Sequence, residues 1–291
     1  MNDILHRRRT ACAAALLAWI ALCPAPSFAG GRLGFTGAVS QIEGAAGGGL
    51  VPWALIAGLG TDTELGGAAF ATYASTADFS LRTAGISAGL DNRVEVSAAR
   101  QRFDAGSVIP GLTLGQDIAG VKVRLAGDAI FAPDRLMPQL AIGALYKRTL
   151  DYGAVPRAVG ASAGHDVDIY LAATKLYFGA VAGRNLLIDA TLRRTRANQF
   201  GLLGFGGDRG GYMLAPELSA AVFVNDTLLV GAEYRAKPSD LGAFRESGAR
   251  DLFAAWGPQK DLTVTAAWVD LGPIAGKAPQ RGVYVSFWIG I

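Results

Sequence analysis

The chain has 291 residues, of which 51% are hydrophobic and 39 are glycine, and its formal net charge is +3 at pH 7. This weak charge excludes the strongly basic surface that nucleic-acid binding requires. After the first thirty residues the longest uncharged stretch, 44–60, is rich in glycine and contains Pro52. Both residue types strongly disfavour a helix, so the apolar composition is not explained by a membrane helix.

The first residues have the features of a secretory leader. Three arginines at 7–9 precede an apolar run at 11–22, and Ser27-Phe28-Ala29 matches the small-x-small cleavage pattern. The apolar run is too short to span a bilayer as a helix, which needs about 20 residues. We therefore predict a signal peptide over residues 1–29 that is removed on export. Both cysteines of the chain lie in this leader, so the mature protein is expected to contain no disulfide.

The rest of the chain alternates between apolar and polar residues in short segments. The period of two is clearest in 120–128, 186–195 and 228–236, where one face of each segment is apolar and the other carries charge. Such alternation predicts strands that present one face to lipid and the other to a polar interior. The expected fold is all-β: an antiparallel up-and-down transmembrane β-barrel formed by residues 30–291.

Short turns and long loops alternate along the chain, as they do in outer-membrane barrels, and this places both termini on the periplasmic side. The pattern predicts fourteen strands. They span residues 33–43, 49–60, 64–74, 79–90, 93–104, 115–127, 136–149, 166–180, 186–197, 211–224, 228–236, 250–258, 262–270 and 281–291. An alternative is that the glycine-rich residues 30–48 form a plug inside the barrel, and the barrel then has as few as twelve strands.

Charged residues in the inward phase of the strands are the candidates for lining the lumen. They are Glu95, Lys122, Arg124, Lys147, Asp189, Arg193, Glu233 and Arg235. Opposed charges across an open lumen would select small polar or weakly anionic solutes. The same charges could equally form salt bridges that fill a closed barrel, and the sequence leaves both interpretations open.

Four arginines fall near the loop ends of their strands in the outward phase. They are Arg100, Arg102, Arg194 and Arg196. At that position guanidinium groups would lie beside the phosphates of lipopolysaccharide, to which they bind well. A β-bulge could instead turn them inward. We expect outer-membrane lipids and lipopolysaccharide to be partners of the protein.

An enzyme is the less favoured function class. Residues 160–164 match G-x-S-x-G and are followed by His165, but no helix pattern follows, as a nucleophile elbow requires. One histidine and no cysteine in the mature chain are too few ligands for a zinc or copper site. We therefore predict no catalytic residue, metal site or cofactor, and keep a lipid hydrolase using Ser162 and His165 as a remote alternative.

Three blocks of the sequence resemble a proteobacterial family of exported proteins known only as a domain of unknown function. They are residues 39–58 (VSQIEGAAGGGLVPWALIAG), 99–104 (ARQRFD) and 116–128 (QDIAGVKVRLAGD). The resemblance implies an outer-membrane barrel and brings no substrate or catalytic residue. We expect a monomer in the outer membrane of a Gram-negative cell, inserted by the outer-membrane assembly machinery. Its function would be porin-like passage of solutes or, alternatively, a structural or lipopolysaccharide-binding or partner-binding role as a closed barrel.

Overall fold

A computed structural model describes residues 34–132 and 135–291, so the leader lies outside the described residues. In this part of the chain twelve antiparallel strands form a closed transmembrane barrel in which each strand pairs with its neighbours in sequence and β1 pairs with β12. The strands are β1 (Leu65–Thr76), β2 (Ser80–Leu90), β3 (Val94–Asp104), β4 (Thr113–Ala126), β5 (Gln139–Thr149), β6 (His165–Val181), β7 (Arg184–Thr195), β8 (Met213–Asn225), β9 (Leu228–Arg235), β10 (Ala249–Gln259), β11 (Leu262–Asp270) and β12 (Arg281–Gly290).

The outer face of the barrel is apolar, as the period of two predicts. Ile86 is 63% exposed, Leu252 is 60% exposed and Leu218 is 53% exposed, whereas the intervening positions of the same strands face inward. In water such a surface would be costly, and in a bilayer it is solvated by acyl chains. None of the helices among the described residues is long and apolar enough to cross a membrane.

The first two predicted strands, 33–43 and 49–60, are wrong. Residues 34–60 form no strand and pass through the inside of the barrel, and we call this segment the plug. Its glycines explain why it is not a strand: a Cβ at Gly47 would lie 2.4 Å from the carbonyl oxygen of Val51, so only glycine permits this fold of the backbone. The barrel therefore has twelve strands, the smaller of the two numbers that the sequence allowed, and the plug extends beyond residue 48.

The two ends of the barrel differ. At one end the connections 91–93, 182–183, 226–227 and 260–261 are tight, although 127–138 is longer than its predicted turn, and we call this the short-turn end. The plug enters here, where the ring of Phe35 packs edge-on against Phe223 at 6.0 Å between centroids.

The opposite end, which we call the long-loop end, carries the connections 105–112, 150–164, 196–212, 236–248 and 271–280, together with the short turn 77–79. The second of these contains the single-turn helix α1 (Val155–Ala158). Residues 196–212 fold back over the mouth of the barrel, and we call them the lid loop. Their short 3₁₀ turn, Asn198–Gly201, is buried.

Candidate functional site

The plug has almost no secondary structure of its own, so the wall of the barrel supplies partners for its backbone. Lys122 of β4 is the clearest case, because its Nζ donates to three plug carbonyls: Ala46 at 3.1 Å, Trp53 at 3.1 Å and Leu55 at 2.6 Å. A buried carbonyl without a partner would be destabilising, and a lysine with three donors satisfies three of them at once.

Two wall carboxylates accept hydrogen bonds from backbone N–H groups of the plug. Glu95 accepts from Ala46 at 3.1 Å and from Ala57 at 2.8 Å, and Glu233 accepts from Leu50 at 2.7 Å. Neutral wall side chains also donate to plug carbonyls, namely Thr72, Thr83, Gln101, Gln139, Thr191 and Thr265. The wall thus binds the plug on several sides of the lumen.

A cluster of six charges lies deep in the lumen around one plug residue, Glu43. Its carboxylate lies 2.5 Å from Lys147 Nζ, 2.9 Å from an Arg235 nitrogen and 3.4 Å from an Arg193 nitrogen. The wall carboxylates Asp168 and Glu217 bind the same cations, Asp168 at 2.7 Å from Lys147 and Glu217 at 2.5 Å from Arg193. Three cations and three anions therefore balance, but only while the plug is in place.

The structure places seven of the eight lumen candidates inside the barrel with at most 3% of their surface exposed. They are Glu95, Lys122, Lys147, Asp189, Arg193, Glu233 and Arg235. Asp189 contacts its neighbours in the wall, accepting from the hydroxyls of Thr174 and Thr191. Arg124 lies instead at the short-turn end, partly exposed, where it binds Asp128 at 3.0 Å.

Sequence reasoning missed three members of the charge cluster: Glu43, Asp168 and Glu217. Glu217 shares its phase in β8 with the buried Ala215 and Ser219, so the period of two could have identified it. Asp168 lies in the predicted strand 166–180, in the same phase as the buried Tyr170 and Ala172, so the period of two could have identified it as well. Glu43 lies in a segment that was interpreted as a strand, and no periodic signal marks it.

The lid loop closes the lumen above the plug. The Phe200 carbonyl accepts from Lys147 at 3.3 Å, and the guanidinium of Arg235 lies 4.4 Å from the centre of the Phe200 ring. Lys237 donates to Gln199 at 2.7 Å, and Glu246 accepts from the backbone N–H of Gln199 at 3.0 Å. Burial raises the pKa of Glu246 and lowers the pKa of Lys237, because both charges have left water.

Two small apolar cavities lie beside the plug, near the two ends of the barrel. One apolar cavity of about 140 Å³ lies beside Phe35 at the short-turn end, and one of about 40 Å³ lies between the plug and Phe200 at the long-loop end. The two cavities share no lining residue. The plug and the lid loop together fill the interval between them.

The four predicted lipopolysaccharide contacts lie on the outer wall at the long-loop end. Arg100 and Arg102 are exposed, and Arg100 pairs with Asp117 at 2.6 Å. The guanidinium of Arg194 lies 3.4 Å from the centre of the Tyr212 ring, and Arg196 pairs with Asp166. Their side chains point away from the lumen, although Arg196 is partly buried by its partners.

The G-x-S-x-G motif lies in the loop before β6, and both Ser162 and His165 are exposed. Among the described residues no hydrogen bond joins them, and the ring of His165 lies near Tyr146 instead, at 6.2 Å between centroids. The loop does not lead into a helix, so the strand–turn–helix geometry of a nucleophile elbow is not formed here.

Comparison with known proteins identifies the family of the chain. A family model described as a protein of unknown function (DUF3034) matches residues 36–288, which include nearly all of the plug and the barrel. The chain belongs to this family. The three sequence blocks noted above lie within the matched range: 39–58 is in the plug, 99–104 is in β3, and 116–128 covers most of β4 and the two residues after it. A search of curated proteins finds no match.

Several solved outer-membrane barrels are similar in overall shape. They include the KdgM porin in complex with disordered oligogalacturonate (9% identity, TM-score 0.49, 76% of this chain and 98% of that chain). Others are Omp33 of Acinetobacter baumannii (9%, 0.48, 79% and 100%) and outer membrane phospholipase A from Escherichia coli (10%, 0.41, 76% and 89%). At these identities and scores no function or residue role is carried over to this chain.

Proposed function

We propose that the protein is a porin-type channel for small polar or weakly anionic solutes, held closed by its own plug. The observation that carries this proposal is that polar and charged side chains of the wall, interspersed with apolar ones, contact the plug through hydrogen bonds and ion pairs. Most of these contacts are between side chains and backbone, so departure of the plug breaks no part of the sheet. Water could then satisfy the groups left behind.

At the level of Glu43, the charge of the wall supports the choice of solute. With Glu43 gone, Lys147, Arg193 and Arg235 face only the two carboxylates Asp168 and Glu217, so this level of the lumen gains an excess of one positive charge. A basic constriction favours the passage of anions. The proposed substrates are therefore small solutes that are polar and neutral or carry one negative charge.

The location and biogenesis belong to the same proposal. The apolar outer wall and closed sheet suit the outer membrane, with the short-turn end in the periplasm and the long-loop end outside. Export would use the signal peptide 1–29, insertion would use the outer-membrane assembly machinery, and the protein would act as a monomer. A non-enzymatic role fits the separated Ser162 and His165.

Planar-bilayer recording tests the channel. We expect the intact protein to conduct rarely, whereas a chain without residues 36–60 should conduct continuously and prefer anions. Heat-dependent gel mobility would show that the shortened barrel is folded. A folded barrel that does not conduct without its plug would refute the channel and favour a closed barrel with a structural role.

A point variant avoids the deletion. A Cβ at Gly48 would lie 1.9 Å from Glu233 Oε1, so Gly48→Ala should displace the carboxylate that accepts from the Leu50 N–H, weaken this contact between wall and plug, and raise the open probability. Gly34→Ala is the matched control, because a Cβ there meets no atom within 4 Å. Equal conductance of the two alanine variants would contradict the proposal.

A further inference from the structure

A groove of about 730 Å³ lies on the outer wall, across β12, β1, β2 and β3. Its floor consists of the small residues Ala71 and Ala84, which are direct cross-strand neighbours. Phe287 stands beside Ala71 on one side, and Arg100 stands beside Ala84 on the other. The groove exists because two methyl groups separate two large side chains in the same row of the barrel.

The next set of outward-facing cross-strand neighbours, nearer the long-loop end, is basic. Tyr73 pairs with Arg82, and Arg82 pairs with Arg102, so two exposed guanidinium groups are adjacent on neighbouring strands. Like charges that face each other across a strand pair are destabilising. In the described part of the chain neither arginine belongs to an ion pair, in contrast to Arg100, which Asp117 neutralises. The guanidinium of Arg82 lies 5.8 Å from the Tyr73 ring, which directs it along the rim of the groove.

We propose that this groove binds one molecule of lipid A, the phosphorylated glycolipid anchor of lipopolysaccharide. Two adjacent guanidinium groups suit a phosphate monoester, which carries up to two negative charges and accepts paired hydrogen bonds from arginine. The apolar floor below them suits an acyl chain. The proposal depends on the orientation given under the proposed function, which puts the long-loop end in the outer leaflet, but it does not depend on conduction.

The position of the arginines fits the depth of the phosphate group. Arg82 is the third residue of β2 from the long-loop end, and Arg102 is the third residue of β3 from that end, so both lie just below the loops. Ala84 and Arg100 lie one outward-facing position deeper. A phosphate bound at the rim would therefore leave the acyl chains pointing along the groove toward the apolar centre of the wall.

Native mass spectrometry of the detergent-solubilised protein tests the site, with hexa-acyl bisphosphorylated lipid A as the probe. We expect the double variant Arg82→Gln/Arg102→Gln to bind about tenfold more weakly than the unmodified protein, since two charged contacts are lost. The control Arg93→Gln/Arg184→Gln removes the same charge at exposed positions of the short-turn end and should bind normally. Dephosphorylated lipid A should bind the unmodified protein as weakly as lipid A binds the double variant.

Two results would overturn the proposal. If the double variant and the control bind lipid A equally, the arginines do not form a site. If phosphatidylglycerol or dephosphorylated lipid A binds the unmodified protein as tightly as lipid A does, the groove takes acyl chains or any anionic lipid and has no preference for the phosphorylated glycolipid. Lipid A binding is measured in detergent and does not require ion conduction. A failed conductance experiment would therefore count against the proposed channel and not against the lipid A site.

Discussion

Glu43→Gln is the perturbation that the structure makes most informative, because this single carboxylate of the plug contacts three cations of the wall. The substitution keeps the size of the side chain and removes its charge. Lys147 retains Asp168 at 2.7 Å, and Arg193 retains Glu217 at 2.5 Å, so the wall itself should remain folded. What changes is the free energy of the plug inside the lumen relative to the plug outside it.

The magnitude follows from the burial of the cluster. Glu43 is 6% exposed, and its three partners are at most 2% exposed. Removing one partner of a buried ion pair costs about 3–5 kcal/mol, since the remaining charge is left without compensation. With the plug outside, water solvates the same cations and the cost disappears. The equilibrium should therefore shift toward the open state by a factor of about one hundred to a few thousand.

Single-channel recording on the Glu43→Gln variant measures this shift as a rise in open probability, and protease cleavage within residues 34–60 reports release of the plug independently. Glu64→Gln is the matched control, because Glu64 lies outside the plug, is only partly buried, and its carboxylate accepts hydrogen bonds from Thr61 alone among the described residues. If Glu43→Gln and Glu64→Gln have the same open probability and the same resistance to protease, the charge cluster does not hold the plug and our reasoning is wrong.

Two further predictions concern the plug and the lid loop. Lys122 Nζ lies 3.0 Å from a carboxylate oxygen of the buried Glu95, so Lys122→Met leaves Glu95 without its cation and three plug carbonyls without a donor, and it should destabilise the barrel by about 3–5 kcal/mol. A lower midpoint in heat-dependent gel mobility checks this, and substitution of the exposed Lys260 by methionine should leave the midpoint unchanged. Burial raises the pKa of Glu246 above its usual 4.5, so protonation favours the folded loops, and their resistance to protease should increase as the pH falls from 7 toward 4.5. Glu246→Gln should weaken that pH dependence, with the remainder due to Asp240 in the same loop, whose pKa burial also raises. Faster cleavage of the unmodified protein at pH 5 would contradict the assignment.

The strands of the barrel wall were predictable because the alternation of apolar and polar residues is a local feature of the sequence. In 186–195 the apolar residues alternate with charged or small ones, and this pattern alone defines β7, its two faces and the inward position of Arg193. The same rule predicted the inward position of the other lumen residues within regular strands. The alternation assigned Arg124 to the same face of β4 as Lys122, but it could not show that Arg124 lies at the short-turn end of the barrel.

The plug was not predictable in the same way, because a segment inside a lumen and a segment facing lipid can both be apolar. Leu50, Val51 and Leu55 are buried against wall residues such as Leu187 and Leu229, yet in sequence they resemble a membrane strand. The distinguishing feature is the glycine density of 44–60, which weakens a strand. The partners of Glu43 come from three different strands, and no spacing in the sequence reveals that they converge.

Cysteine labelling tests the central claim, that residues 34–60 close the lumen in the membrane and can leave it. The described part of the chain contains no cysteine, so with Cys12 and Cys23 replaced by serine, Ala46→Cys provides a single thiol in the plug at a position that is fully buried. In liposomes we predict that this thiol reacts with a membrane-impermeant maleimide far more slowly than one at the exposed turn residue Ala182, and that adding Glu43→Gln makes it reactive. Equal labelling of Ala46→Cys and Ala182→Cys in the otherwise unmodified protein would contradict the closed state, and an unreactive thiol in the Glu43→Gln background would contradict its release.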